Sequence, residues 1–439
     1  MRLPRYREYM STGLRWQREA PSHWAGSRIR FMATLNPSKS EVAALDRDTE
    51  VSFLPMDAIG DDGTLSLERT RPISEVESGY TYFRDGDVVV AKITPCFENG
   101  KGALMNGLVN GTGFGTTELI VARPRSGKLD GAFLSWLFRS PNFRSEGEGS
   151  MYGAGGQKRV PDDFVRDFSW AFPTFEEQVA IAAFLDRETA KIDALIAEQE
   201  RLLELLAEKR QAVISHAVTK GPNPDAPMKD SGVAWLGEVP AHWDVARLAT
   251  LYREVSEPGS DDRPTLSVSI HDGVSDDEID EADSERKITR SEDKGKYKRV
   301  EPNDLTYNMM RAWQGAFGTV TVSGQVSPAY VVARPRAIIE TGFIEALLRT
   351  PKAKEQIRRY SRGITDFRLR LYWDEFKELR VGLPPHNEQV EVLASIAQMN
   401  RQFDELQSAA ESLIELLDER RSALIAAAVT GQIDVREAA

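Results

Sequence analysis

Two stretches of the chain carry the same pattern of apolar and polar positions, and the pattern is helical. Residues 175–219 contain no Gly and no Pro and are dense in Ala, Leu, Glu and Gln, residues that lose little on entering a helix. Their apolar positions recur every three or four residues, the spacing of a coiled-coil seam. Leu185, Ile192, Leu206 and Val213, with Gln199 among them, make one row, and Leu195 and Leu202 make the adjoining one. Pro173 before the stretch and Lys220-Gly221-Pro222 after it mark its ends. Such a helix is a rod of roughly 60 Å.

From Pro384 the pattern returns. At a fixed offset of 211, Gln178-Val179 falls on Gln389-Val390, Leu185 on Ile396, Ile192 on Phe403 and Leu195 on Leu406. Leu202 then falls on Leu413, Leu206 on Leu417 and Val213 on Leu424, and both stretches end in Ala-Val-Thr. No gap is needed along the whole length, which marks an internal repeat. A helix with an apolar stripe must cover it, and its own duplicate is the simplest cover. The alternative is that each helix packs only on its neighbouring domain.

The repeat extends beyond the helices. Trp16, Pro21 and His23-Trp24 match Trp235, Pro240 and His242-Trp243 at an offset of 219. Gly86-Asp87 and the β-type run at 88–93 correspond to Asn303-Asp304 and residues 305–308, and the run at 119–124 corresponds to 330–335. The amphipathic block 133–141 corresponds to 343–351, each closed by Pro. Short β runs divided by Gly and Asp turns, with a few helices, predict α+β domains. The expected organisation is a first domain at 1–172, a long helix at 173–220, a second domain at 221–382, and a second long helix with its tail at 383–439.

Charge sharpens this picture. The net charge is −12, yet the two helical segments hold 10 Lys and Arg against 19 Asp and Glu, while the globular segments hold 46 against 49. Acidic helices repel DNA and suit a protein partner; nearly neutral domains rich in Arg can still present basic faces. A single cysteine, Cys96, rules out an intrachain disulfide framework and a Cys-based zinc site. No apolar run reaches the roughly 18 residues of a membrane helix, and the charged N-terminus resembles no signal peptide. A soluble, cytoplasmic protein is expected.

No enzyme signature survives inspection. Gly111-Thr-Gly113-Phe-Gly115 leads into a strand rather than a helix, so it lacks the logic of a phosphate loop. There is no Asn/Asp-Pro-Pro-Tyr/Phe methyltransferase motif and no His-Glu-x-x-His. Pro224-Asp225 with Glu292-x-Lys294 fits a nuclease pattern only by force. The acidic run at 275–285 reads as a solvated loop before it reads as a divalent-ion site. No catalytic residue, metal or cofactor is expected.

What differs between the copies is the loops. Lys92, Asn99, Lys101, Gln157, Lys158 and Arg159 lie on or beside them in the first domain. Asn308, Arg311, Gln314, Arg362, Arg368 and Arg370 do so in the second. Arg reads guanine edges through two hydrogen bonds, Asn and Gln read adenine likewise, and Lys holds phosphates. A common scaffold with divergent polar loops suits two readers of different ligands.

Two variable domains, each followed by a copy of one long helix, resemble the specificity subunit of type I restriction-modification systems. The residues that carry the resemblance are the Trp16 and Trp235 openings, the Pro-x-x-x-Glu-Gln-Val helix starts at Pro173 and Pro384, and the Ala-Val-Thr exits. The resemblance implies two target-recognition domains, each reading half of a bipartite double-stranded DNA target. It implies an antiparallel coiled-coil spacer of pseudo-twofold symmetry. It also implies adenine methyltransferase subunits docked on the shared parts and motor-endonuclease subunits completing the complex. A two-domain coiled-coil scaffold that binds proteins and no DNA is the rival from another class.

Overall fold

The computed structural model describes residues 4–154, 156–260, 262–270, 273–275, 296–363 and 368–436. Most of the acidic run, from residue 276 onward, and Glu292 and Lys294 lie outside them. Among the described residues, six helices have eight residues or more: α1 (Gly131–Arg139), α2 (Pro141–Ser150), α3 (Phe175–Lys220), α4 (Thr341–Leu348), α5 (Pro351–Tyr360) and α6 (His386–Val429). Asp130 caps α1 by accepting the Phe133 N–H (2.8 Å). Ser140 ends α1 and caps α2, whose first residue is Pro141. Thr350 and Pro351 do the same for α5. The prolines that read as stops are therefore also starts, because the first turn of a helix has no use for their missing N–H.

Both domains contain one and the same antiparallel sheet. In the first, strands Ala33–Leu35, Leu119–Pro124, Val88–Ala91 and Gly102–Leu104 lie side by side in that order. The second has Tyr252–Val255, Tyr330–Pro335, Leu305–Asn308 and Phe317–Thr319. The central runs are apolar without alternation because both faces are covered. Val88, Val90, Ile120 and Ala122 face one cluster, and Val89, Ala91, Leu119 and Val121 face another.

The first domain adds a mixed sheet of Thr70–Pro72, Glu50–Leu54, Thr112–Gly115 and Thr81–Arg84. Its glycines serve packing. A Cβ on Gly113 would lie 2.4 Å from the Phe83 ring and one on Gly115 2.6 Å from the Leu54 carbonyl. In the second domain the pairs Ser267–Ser269 with Gly273–Ser275 and Lys298–Val300 with Gly324–Val326 stand beside the shared sheet. In both, a two-stranded ribbon leads into the long helix: Ala25–Arg28 with Ser169–Phe172, and Asp244–Arg247 with Arg380–Leu383.

The chain divides into two compact units, 1–199 with 411–439, and 200–410. The division falls inside both long helices, so each unit holds part of α3 and part of α6. In the first unit Ile181, Ala182, Phe184 and Leu185 share a core with Ile425, Ala428 and Val429, and Asp193 meets Arg421 at 3.2 Å. In the second, Ala217 and Val218 share a core with Val392 and Ile396. There Arg210 donates to Asn400 (2.9 Å) and to Asp404 (2.7 Å). Within each unit one helix ascends as the other descends, so the pairing is antiparallel. The ion pairs repeat as well: Arg421 and Asp404 stand at the 211 offset from Arg210 and Asp193.

One of the two expected rows needs correction. Leu185, Ile192, Ile396 and Leu417 are buried, and Leu206, Val213, Phe403 and Leu424 are half-buried. Leu195, Leu202, Leu406 and Leu413, however, are 45%, 41%, 54% and 42% exposed. The covered second row lies one residue further on, at Ile196, Leu203, Arg210 and Ala217, and at Ile414, Arg421 and Ala428. Adjacent helical residues point about 100° apart, so only one member of a Leu-Ile or Leu-Leu doublet faces the partner.

Candidate nucleic-acid interface

Each domain holds its loops on a buried ion pair. Asp87 is 1% exposed and accepts from Arg123 Nε (2.6 Å) and Nη2 (2.7 Å), with the Arg84 N–H as a third donor (2.9 Å). Asp304 accepts from Arg334 Nε and Nη2 (both 2.9 Å) and from the Glu301 N–H (2.9 Å). The carboxylates hold both guanidiniums above the ordinary arginine range, against the opposing effect of burial. Such a fork-to-fork pair fixes direction as well as charge. It lies at the same place in both copies, between the turn before one central strand and the end of its neighbour.

The helix starts explain the Pro-x-x-x-Glu-Gln-Val signature. Gln178 donates to the Pro173 and Lys128 carbonyls (3.0 and 3.1 Å) and accepts the Asp130 N–H (2.8 Å). Gln389 donates to the Pro384 carbonyl and accepts the Glu340 N–H (both 2.9 Å). Each glutamine thus fastens a long helix to the residue that caps α1 or α4. The glutamates meet the His of the His-Trp pairs: His23 Nε2 lies 2.9 Å from Glu177, and His242 Nε2 lies 2.6 Å from Glu388.

On this frame the variable loops meet in pairs. In the first domain the Thr94 N–H donates to the Lys158 carbonyl (3.0 Å) and the Val160 N–H to that of Lys92 (2.8 Å). Asn99, Gln157 and Lys158 are exposed. Lys92 lies 3.9 Å from Asp162, and Lys101 is turned inward, donating to the Met56 carbonyl at 3.0 Å. Lys101 thereby fastens its own loop. Arg159 is paired through Nε (2.9 Å) and Nη2 (2.8 Å) with the two oxygens of Glu118. That pairing holds the Glu118 carboxyl below its usual range, with Lys92 adding a weaker pull, and raises Arg159.

In the second domain the Leu371 N–H donates to the Met309 carbonyl (2.9 Å), and Arg362 and Arg370 exchange backbone bonds of 2.9 Å. Arg362, Arg368 and Arg370 come together around a cavity of about 820 Å³ with Met310, Tyr372, Asp374 and Glu375. Arg362 is paired with Glu375. Arg311 is exposed and Gln314 half-buried on the neighbouring turn, while the Asn308 side chain accepts the Met310 N–H (3.0 Å) and so shapes that turn.

The loops also present large side chains that donor chemistry alone does not single out: Tyr152, Met310 and Tyr372, all exposed. Their signal in the sequence is an apolar ring or thioether set among Gly and Arg in a variable loop. The carboxylate partners Glu118 and Glu375 carry no such signal, since each lies in a different segment from its arginine. Planar donors held on paired loops, beside stacking surfaces, suit the edges and phosphates of nucleic acid.

No protein-family model matches the chain. It is 40% identical over 194 residues to the EcoAI specificity subunit and likewise to the EcoEI specificity subunit, type I restriction enzymes of Escherichia coli. Each match takes in 44% of this chain and 32% of the relative, so it spans about a third of those proteins. The EcoBI specificity subunit of Escherichia coli is 25% identical over 292 residues, 63% of this chain and 60% of that one.

Two solved structures share the fold. One is a chain from a study of assembly and conformational transition in the type I restriction-modification system, with TM-score 0.63 and 17% identity over 93% of this chain and 98% of that one. The other is the HsdS subunit of Thermoanaerobacter tengcongensis, with TM-score 0.55 and 18% identity over 94% and 98%. The resemblance drawn from the sequence is borne out: by sequence and by fold the chain is a relative of type I specificity subunits.

Proposed function

We propose that this chain is the DNA-recognition subunit of a type I restriction-modification complex. Each domain reads one half of a bipartite duplex target, and the two long helices set the spacer between the halves. The observation that carries this reading is the contrast between a frame built twice on the same residues and loop pairs whose donors differ at most positions. The chain itself is non-catalytic and cytoplasmic; adenine methyltransferase subunits supply the methyl transfer, and motor-endonuclease subunits the cleavage. Duplex DNA repeats about every 34–36 Å, so readers held by a rod select half-sites a fixed number of base pairs apart.

The exposed leucines give the methyltransferase a surface. Leu195, Leu202 and Leu205 recur at the 211 offset as Leu406, Leu413 and Leu416, all exposed. Two equivalent apolar patches on acidic helices suit two copies of one partner. The same patches are what a protein-binding scaffold without DNA would need, so the decisive experiment is DNA binding itself. Gel shift of a random duplex at low salt, with and without the methyltransferase, is expected to show a complex that weakens steeply as salt rises. Absence of any shift under both conditions leaves the scaffold reading. Inserting one heptad into each long helix is expected to change the tolerated spacer and leave both half-sites unchanged; an unaltered spacing removes the ruler.

A further inference from the structure

Arg159 differs from the other donors of the first domain in how completely it is held. Its backbone exchanges bonds with Tyr152 of its own loop (2.9 and 3.1 Å), and an antiparallel bridge pairs it with Ile93, which leads into the other variable loop. Its side chain is held by two bonds from Nε and Nη2 to Glu118. A guanidinium is planar and carries five N–H groups. A carboxylate on the Nε–Nη2 edge leaves the outer edge, made by Nη1 and the second hydrogen of Nη2, with two parallel donors. That edge has no further partner among the described residues, and the side chain is 37% exposed. The Arg123 guanidinium, by contrast, is 13% exposed and shared between Asp87 and Glu41. Asn99, Gln157 and Lys158 are exposed without such a brace.

Two parallel donors in one plane match the O6 and N7 acceptors on the major-groove edge of guanine, a pattern no other base presents. We propose that Arg159, braced by Glu118, reads a guanine in the half-site of the first domain. Glu118 is a positioning residue: it neutralises the arginine and fixes its plane before DNA arrives, so the ordering entropy is already lost in the free protein. The Lys92 ammonium, drawn toward Asp162 on the same loop pair, is left to a phosphate. This inference rests on the DNA reading above and adds to it a residue and a base.

The test is selection from a random duplex library by the full chain with its methyltransferase, comparing wild type with R159K and E118Q. Wild type is expected to select a first half-site containing a guanine. R159K keeps the charge and loses the fork, so it is expected to flatten preference at that one position by about tenfold. Its melting temperature should hold. E118Q keeps the arginine and loosens its plane; a smaller loss at the same position is expected, with the second half-site untouched in both variants. A guanine preference that survives R159K overturns the assignment, as does a selected first half-site with no guanine. Selection of nothing from the library overturns the DNA reading and this inference with it, whereas an intact bipartite motif indifferent to both variants overturns this inference alone.

Discussion

The two domains share a frame and differ in how their donors are restrained. In the first, Arg159 answers to Glu118, Lys92 to Asp162 and Lys101 to a backbone carbonyl. In the second, three arginines gather around an open cavity, with Arg362 paired to Glu375. Below the loops the correspondence is close, down to the Asp–Arg fork, the His–Glu contact and the glutamine at each helix start. The difference teaches where variation is tolerated. Residues that orient the long helix recur in both copies, whereas most of the loop donors differ, Arg159 and Arg370 being an exception with matching backbone bonds.

The largest expected effect tests the frame. Asp87→Ala and Asp304→Ala each leave a largely covered guanidinium with only its second carboxylate, Glu41 or Glu257, and each is expected to cost about 3 kcal/mol. Chemical denaturation should find similar losses for the two; a large inequality breaks the equivalence of the copies. The next contrast concerns the seam: Ile192→Ala is expected to cost about 2–3 kcal/mol, and Leu195→Ala within about 0.5 kcal/mol. A reversal of that order restores the row read from the sequence.

Exchange of residues 20–150 for the same segment of a relative is expected to alter one half-site and leave the other, read by target mapping. A change in both removes the independence of the domains. The smallest effect is on acid stability. Glu118 is held below its free carboxyl range by Arg159, so its contribution is whole above the unfolded pKa and disappears as pH falls through the folded one. For a pair this exposed, solvent screening keeps that contribution small. E118Q should remove that share of the acid limb and leave the neutral-pH baseline shifted by no more than the same amount.

Much of the frame was legible in the amino-acid order because duplication doubles every signal. The helix ends and the central strands, with their shared Ala-Arg-Pro endings, stand out once the two copies are laid together. The seam was legible only by half. Leu195-Ile196 and Leu202-Leu203 each offer two apolar neighbours to one turn, and hydrophobicity cannot say which faces the partner; burial chooses the second. In the candidate interface, donor types named the right loops, and their restraint stayed hidden. Glu118 lies 41 residues from Arg159, and position 329, its counterpart at the helix offset, is Ala. A contact made once between distant segments leaves no trace in a repeat. Lys101 illustrates the same limit from the other side, since its inward turn depends on a carbonyl, which every residue type supplies.

The tail has a consequence for biosynthesis. The unit formed by 200–410 is one uninterrupted segment, whereas the other needs 411–439 to finish. The Asp434 N–H donates to the Pro4 carbonyl, the Tyr9 hydroxyl to that of Gly431, and the Trp170 indole to that of Val429. On the ribosome, then, the domain made first closes last. Until Ile425, Ala428 and Val429 emerge, Ile181 and Leu185 wait without their cover, and a nascent chain arrested before that point is an aggregation-prone client for chaperones.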